Sequence, residues 1–243
     1  MIDVLIMGGT GFPQGEGITE TFGRALDRRR FRYSFIDYPA DYGTPTPYGD
    51  SVQIGIHALL SAIYASPNPV LLAGYSQGAG IAAQVAHKLS RGERNDLQVL
   101  GAALIACPLR PPGPTVLGGD PGGHGVSGSL VVEGIPVWHA AARRDPIAAL
   151  PQGSALRFIA DVTEYWSAID PTRLERWFEK LDARARERRW QRWWSPETWR
   201  DTADVIGQAS AYLVEGRHTM AYIREGHCAA LAETVNREIG GQV

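Results

Sequence analysis

The pentapeptide Gly74-Tyr75-Ser76-Gln77-Gly78 has the residue types of an activated nucleophile. It follows a short apolar run, Pro69 to Gly74, and precedes a small-residue stretch containing Ala79, Gly80, Ala82 and Ala83. Strand, sharp turn and helix are therefore expected around it. Such a turn strains the serine backbone and needs glycine or nearly so on either side, because side chains there would strike the adjoining strand and helix. It would lift the hydroxyl above a sheet edge and set the Gln77 N–H at a helix N-terminus, where it can stabilise an oxyanion. The blander reading is a glycine-rich turn whose serine only caps the helix. The complete strand-turn-helix setting favours the nucleophile.

A serine hydroxyl attacks poorly until a base takes its proton, so a histidine and an orienting carboxylate must follow. With this turn on a parallel sheet the chain order is Ser, then Asp or Glu, then His. Asp145 fits as the acid, since it comes after the strand-like Ile135 to Ala142 and before Pro146. Its competing reading is a surface turn residue beside Arg143 and Arg144. Among the six histidines, His57 and His87 fall in expected helices, and His124 precedes Asp145. His139 lies within a strand, which suits a packed residue. His218, in Glu215-Gly216-Arg217-His218, is the first choice as base, and His227, beside Cys228, is the alternative. The loop after the first strand, Gly8-Gly9-Thr10-Gly11, offers the Thr10 N–H as second oxyanion donor, with the Thr10 hydroxyl as a further candidate. This chemistry calls for no cofactor and no metal.

The elements that must position these groups alternate. Strands are expected at 2–7, 32–37, 69–74, 98–106 and 135–142, with helices at about 51–64 and 77–90. A Tyr/Pro/Gly-rich loop covers 38–49, and an irregular Pro/Gly-rich loop covers 108–128. This pattern predicts a mostly parallel sheet covered on both faces. From about 155 to 210 a helical pattern takes over, heavy in Arg and Trp between Arg173 and Arg200. It reads as a helical insertion within a single domain spanning 1–243. The 243 residues, 44% hydrophobic and 21% charged, suit one globular core. A formal charge of −2 gives no electrostatic case for nucleic acid as a partner. No apolar run approaches the roughly 20 residues of a membrane span. The N-terminus lacks a signal-peptide pattern, so synthesis as a soluble cytoplasmic chain is expected. Cys107 and Cys228 do not form a C-x-x-C pair; free buried thiols are expected, with a disulfide between them as the alternative. A monomer is expected.

Together these residues resemble the cutinase-like serine esterases, and most closely the Lysin B enzymes of mycobacteriophages. The resemblance rests on Gly-Thr-Gly after the first strand, Gly74-Tyr75-Ser76-Gln77-Gly78, Asp145-Pro146-Ile147 and a histidine in a loop near the C-terminus. Compact cutinases keep acid and base close in sequence, whereas Lysin B enzymes carry a helical segment between them, as the stretch from Asp145 to His218 would. The resemblance implies an α/β-hydrolase fold of cutinase-like type, with a helical insertion between acid and base. It also implies hydrolysis of the ester joining mycolic acids to arabinogalactan in the mycobacterial envelope. The enzyme would be made in the host cytoplasm and act on the envelope after lysis or holin-dependent release. The chain departs from compact cutinases in lacking their disulfide set and secretion signal.

Two rival classes share some of these features. A nucleotide-binding oxidoreductase would use the Gly9-x-Gly11 pair and Asp37. However, Pro13 and Gln14 stand where its third glycine should fall, and neither Lys88 nor Lys180 completes a Tyr-x-x-x-Lys pair. A non-catalytic envelope-binding module is opposed by an intact, correctly ordered Ser, Asp and His. The Trp-rich segment has two readings. Trp193 and Trp194 could contact lipid or sugar, or the tryptophans could pack on the core beneath arginine stems. If they contact substrate, replacing both with Ala should reduce activity on insoluble envelope more than on a short soluble ester. Equal losses on both, with a lower melting temperature, would support packing.

Overall fold

The computed structural model describes residues 1–14, 17–43, 45–154 and 216–239. Five parallel strands form one sheet: β1 (Ile2–Met7), β2 (Phe31–Phe35), β3 (Val70–Tyr75), β4 (Gly101–Ile105) and β5 (Val137–Ala140), in spatial order β2-β1-β3-β4-β5. The described helices are α1 (Ile18–Ala25), α2 (Tyr48–Ala65), α3 (Gln77–Ser90), α4 (Ala221–Arg224) and α5 (His227–Glu238).

Both faces are dry along the three inner strands β1, β3 and β4, while the edge strands β2 and β5 alternate between buried and part-exposed residues. Parallel strands need crossover connections, and these place helices on each side, so inner-strand residues become apolar without alternation. Ile2, Val4 and Ile6 of β1, Leu71 and Ala73 of β3, and Ala103 and Ile105 of β4 meet Ile18 and Phe22 of α1 and Leu231, Ala232 and Val235 of α5. The intervening Leu5, Met7, Leu72, Ala102 and Leu104 meet Val52, Ile56 and Leu59 of α2 and Ile81, Ala82 and Val85 of α3. Cys107 belongs to the second cluster and Cys228 to the first, so the sheet separates the two thiols. Both are free, and burial pushes each thiol up to about 12.

The strand order reverses at β1, which has β2 on one side and β3 on the other. Connections leaving the C-terminal ends of two such strands diverge, and the crevice between them is where ligands bind in open α/β sheets. Thr10 follows β1 and Ser76 follows β3, so both stand at that crevice.

Several boundaries differ from the sequence expectation. Strands β4 and β5 are shorter than 98–106 and 135–142, because the ladder ends where the chain must splay into loops. Helix α2 starts three residues before Ser51, from the Pro47 position that fixes a suitable backbone angle ahead of the first turn. Helix α1 was not anticipated, although Ile18, Phe22 and Leu26 fall at helical spacing. The helical insertion expected over about 155–210, with Trp193 and Trp194 in it, lies outside the described residues. Among the described residues, no helix is long and apolar enough to cross a membrane.

Candidate active site

The turn at Ser76 has φ 55° and ψ −120°, a region that costs a non-glycine residue roughly 1–3 kcal/mol. Neighbouring bonds enforce it. The Ser76 N–H donates to Ile105 O at 2.9 Å, and Gly80 N–H donates to Ser76 O at 3.0 Å as α3 begins. The flanking glycines are steric necessities. A Cβ on Gly74 would lie 2.4 Å from Gly78 backbone, and one on Gly78 would lie 2.3 Å from the carbonyl oxygens of Met7 and Gly8. The close approach of α3 to the end of β1 brings Ser76 and the Gly8–Gly11 loop together.

The His218 imidazole meets both partners. Its Nε2 is 2.9 Å from Ser76 Oγ, while its Nδ1 lies 3.0 and 3.1 Å from the two oxygens of Asp145. The flanking carboxylate fixes the proton on Nδ1, leaving Nε2 as the acceptor for the serine proton. Tyr75 holds His218 from behind: its ring stacks on the imidazole with centroids 5.3 Å apart, and its hydroxyl donates to His218 O at 2.6 Å. Arg217 ties the same loop to Arg143 O at 2.9 Å and pairs with Glu225.

Asp145 is fully buried and accepts three kinds of donor. Besides His218, the Ile147 N–H reaches Oδ1 at 2.8 Å, and the Tyr222 hydroxyl donates to Oδ2. Arg144 takes a left-handed backbone, φ 62°, to turn the carboxylate inward after β5. That loop is sutured to the long loop before it by His124 with Leu150 and by Val126 N–H with Ile147 O.

At the heart of the long loop sits Arg110, 1% exposed, with no carboxylate bonded to it among the described residues. Its guanidinium donates to the carbonyls of Ala148, Pro111, Gly113, Gly122 and Gly123 at 2.6 to 3.1 Å. A buried cation is tolerable only when its donors are satisfied, and five carbonyl dipoles supply that here. Burial still lowers the guanidinium from its ordinary value, opposed by Asp120 and more weakly by Asp145.

The Gly8–Gly11 loop passes directly over Ser76, since a Cβ on Gly9 would touch the Tyr75 ring at 2.7 Å and Ser76 Cβ at 3.5 Å. Phe12 N–H donates to Gly9 O and Gly11 N–H to Ala40 O, closing a tight turn that presents Thr10. The Thr10 hydroxyl donates to Gln77 Oε1 at 3.2 Å, so it is engaged in holding the loop. Gln77 Nε2 donates in turn to Asp41 O and Ser51 Oγ, both at 3.2 Å. The first N–H of α3, that of Gln77, has no carbonyl one turn back within the helix.

The structure thus brings Ser76, His218 and Asp145 into one line, with Thr10 and Gln77 beside the serine. His227 stands elsewhere in the network: its Nε2 is 3.5 Å from Glu225, its ring lies 5.3 Å from that of Tyr222, and its Nδ1 is buried without a partner among the described residues. His139 is in β5. The sequence reading missed Tyr75, Arg110, Arg217 and Tyr222. Only the spacing His218-x-x-x-Tyr222, one helical turn, offered a readable signal.

A doubly covered parallel sheet with a serine on a strained β-turn-α, a histidine and a buried carboxylate defines a class of hydrolase scaffold. The chain belongs to the alpha/beta hydrolase family, whose model matches residues 5–238. Lysin B from Mycobacteriophage D29 is similar, with TM-score 0.53 and 22% identity over 67% of this chain and 73% of that one. A cutinase-like protein from Cryptococcus sp. is 23% identical over 65% of this chain and 84% of that one, with TM-score 0.46. An acetylxylan esterase gives TM-score 0.43 and 22% identity over 64% of this chain and 88% of that one. At these identities the likeness is one of fold. No curated protein matches the chain.

Two predictions follow from local geometry. Gly78→Ala should lower stability by about 3 kcal/mol or more, because both clashing atoms are backbone. An unchanged melting temperature would refute the close approach. The second concerns His139, which burial, with the Arg110 cation nearby, pushes down to about 4. The unfolded chain, with an ordinary value near 6.5, therefore binds more protons between these limits. Stability is full above about 6.5 and is lost as pH falls towards 4. Wild type should lose about 2 kcal/mol more than His139→Leu between pH 7 and pH 4.5, read from urea midpoints. Parallel losses would remove His139 as the cause.

Proposed function

We propose that this chain is a serine ester hydrolase acting through an acyl-enzyme, with Ser76 as nucleophile, His218 as base and Asp145 as its orienting acid. The observation that supports this best is the continuous line Ser76 Oγ, His218 Nε2, His218 Nδ1, Asp145 at hydrogen-bond distances throughout. Ser76 attacks the ester carbonyl while its proton passes to Nε2, giving a tetrahedral intermediate and an imidazolium beside Asp145. The N–H groups of Thr10 and Gln77 receive the oxyanion. His218 then returns the proton to the departing alkoxide, which leaves as an alcohol. Water, deprotonated by the same nitrogen, attacks the acyl-serine and releases the acid.

An apolar acyl group fits the surroundings. Phe12, Tyr42 and Met220 expose large apolar surfaces on three loops, each belonging to a segment bonded to the site. Phe12 lies in the oxyanion loop, Tyr42 next to the Asp41 carbonyl that Gln77 binds, and Met220 two residues beyond His218. The finer proposal is a lipid ester of the mycobacterial envelope, the mycolyl-arabinogalactan linkage, cleaved during phage lysis by a protein made in the host and released to the envelope. It rests on the motif resemblance to Lysin B enzymes and on the 73-residue interval between Asp145 and His218. A general cutinase- or lipase-like esterase is the second reading, favoured by the same exposed apolar residues.

Ser76→Ala should reduce hydrolysis of p-nitrophenyl butyrate by about 10⁴-fold or more. No serine-dependent turnover would sink the esterase proposal. Purified mycolyl-arabinogalactan should yield free mycolic acid, detected by mass spectrometry. Turnover of short esters without mycolate release would leave the general esterase.

A further inference from the structure

We propose that Tyr222 is a positioning residue for Asp145, fixing the carboxylate and limiting its basicity through its buried hydroxyl. This rests on the reading of Ser76, His218 and Asp145 as the reacting line.

The hydroxyl has one proton and, among the described residues, two hydrogen-bond partners. Ala142 N–H donates to its oxygen at 3.2 Å, so that oxygen serves as acceptor towards the backbone. The proton is thereby committed to Asp145 Oδ2. Burial, reinforced by Asp145, holds the phenol well above its ordinary value near 10, so it stays a neutral donor wherever the base titrates. Tyr222 is fully buried and lies four residues after His218, so one turn of chain grips the same carboxylate twice. Ala142 lies just past β5, which makes the phenol a strut between the acid loop and the base loop.

The chemical consequence has a sign. A donor on Oδ2 spreads the carboxylate's charge and weakens its pull on the Nδ1 proton. Without that donor, Asp145 would stabilise the imidazolium more strongly, and His218 would titrate at higher pH. Other ionisable groups around the phenol are Tyr75, with rings 6.3 Å apart, His227 at 5.3 Å, and Arg110. Glu225 and Arg217 stand behind His227. The conservative variant leaves all of them in place.

The test compares wild type with Tyr222→Phe on p-nitrophenyl butyrate across pH, and follows His218 directly by ¹⁵N NMR titration. Loss of the hydroxyl should lower kcat about tenfold with KM changed by less than about twofold. The acid limb of kcat/KM and the His218 titration should both move up by about half a pH unit or more. Tyr222→3-fluorotyrosine, a stronger donor of the same shape, should move both the other way, and it serves if the Phe variant fails to fold. A folded Tyr222→Phe whose titration and acid limb match wild type, with only its melting temperature lowered, overturns the proposal. The NMR titration needs no turnover. A shifted His218 in a protein without serine-dependent activity would therefore remove the esterase reading and leave the Tyr222 interaction standing.

Discussion

Everything at this site depends on one close approach, that of the first turn of α3 to the last carbonyls of β1. Gly78 has no Cβ because Met7 O and Gly8 O occupy the space. That contact sets the Gln77 N–H beside the Thr10 loop and holds Ser76 in a backbone region it would otherwise leave. The strain at Ser76 is therefore a local cost of packing two glycines and a strand end together. Much of it is offset by the bonds from Ser76 N–H to β4 and from Gly80 to Ser76 O.

The rest of the site is a problem of delivering two distant side chains to that turn. Asp145 arrives on a loop whose shape is moulded by a buried guanidinium and by bridges between residues 124–126 and 147–150. His218 arrives from far along the chain, with its main chain held by the Tyr75 hydroxyl and its loop latched by Arg217. Tyr75 neighbours Ser76, so the residue that ends β3 also sets where the imidazole rests. A small set of side-chain bonds to backbone thus fixes the relative placement of three loops, and the sheet supplies only their starting points.

Much of this was legible in the residues. The strand-turn-helix around Ser76, the parallel sheet and the order of Asp145 and His218 all follow from periodicity, glycine placement and chain order. What was hidden had physical reasons. Helix α1 escaped because Glu20, Arg24 and the charged run after Leu26 masked a three-residue apolar stripe. Arg110 looks in sequence like any loop arginine, and its role exists only once five carbonyls converge on it. Of His218 and His227, nine residues apart, the sequence favours the first and keeps the second in reserve; in the structure it is His218 that meets the Tyr75 ring and the Asp145 oxygens.

Arg110 also shapes how this chain can vary. The carbonyls it gathers lie at Pro111 and Gly113 on one side and Gly122 and Gly123 on the other. Between them, Leu117 to Asp120 project outward as an exposed tip. The guanidinium acts as a jig, holding the stem of the loop at a set width and leaving the tip unconstrained by the cage. Changes in loop length can therefore be taken up at 117–119, short of Asp120, whose carboxylate accepts from Gly122 N–H and whose carbonyl accepts from Arg143. One residue inserted below Gly113 or above Gly122 would instead pull a carbonyl off the cation and carry the disturbance through Ala148 to Asp145.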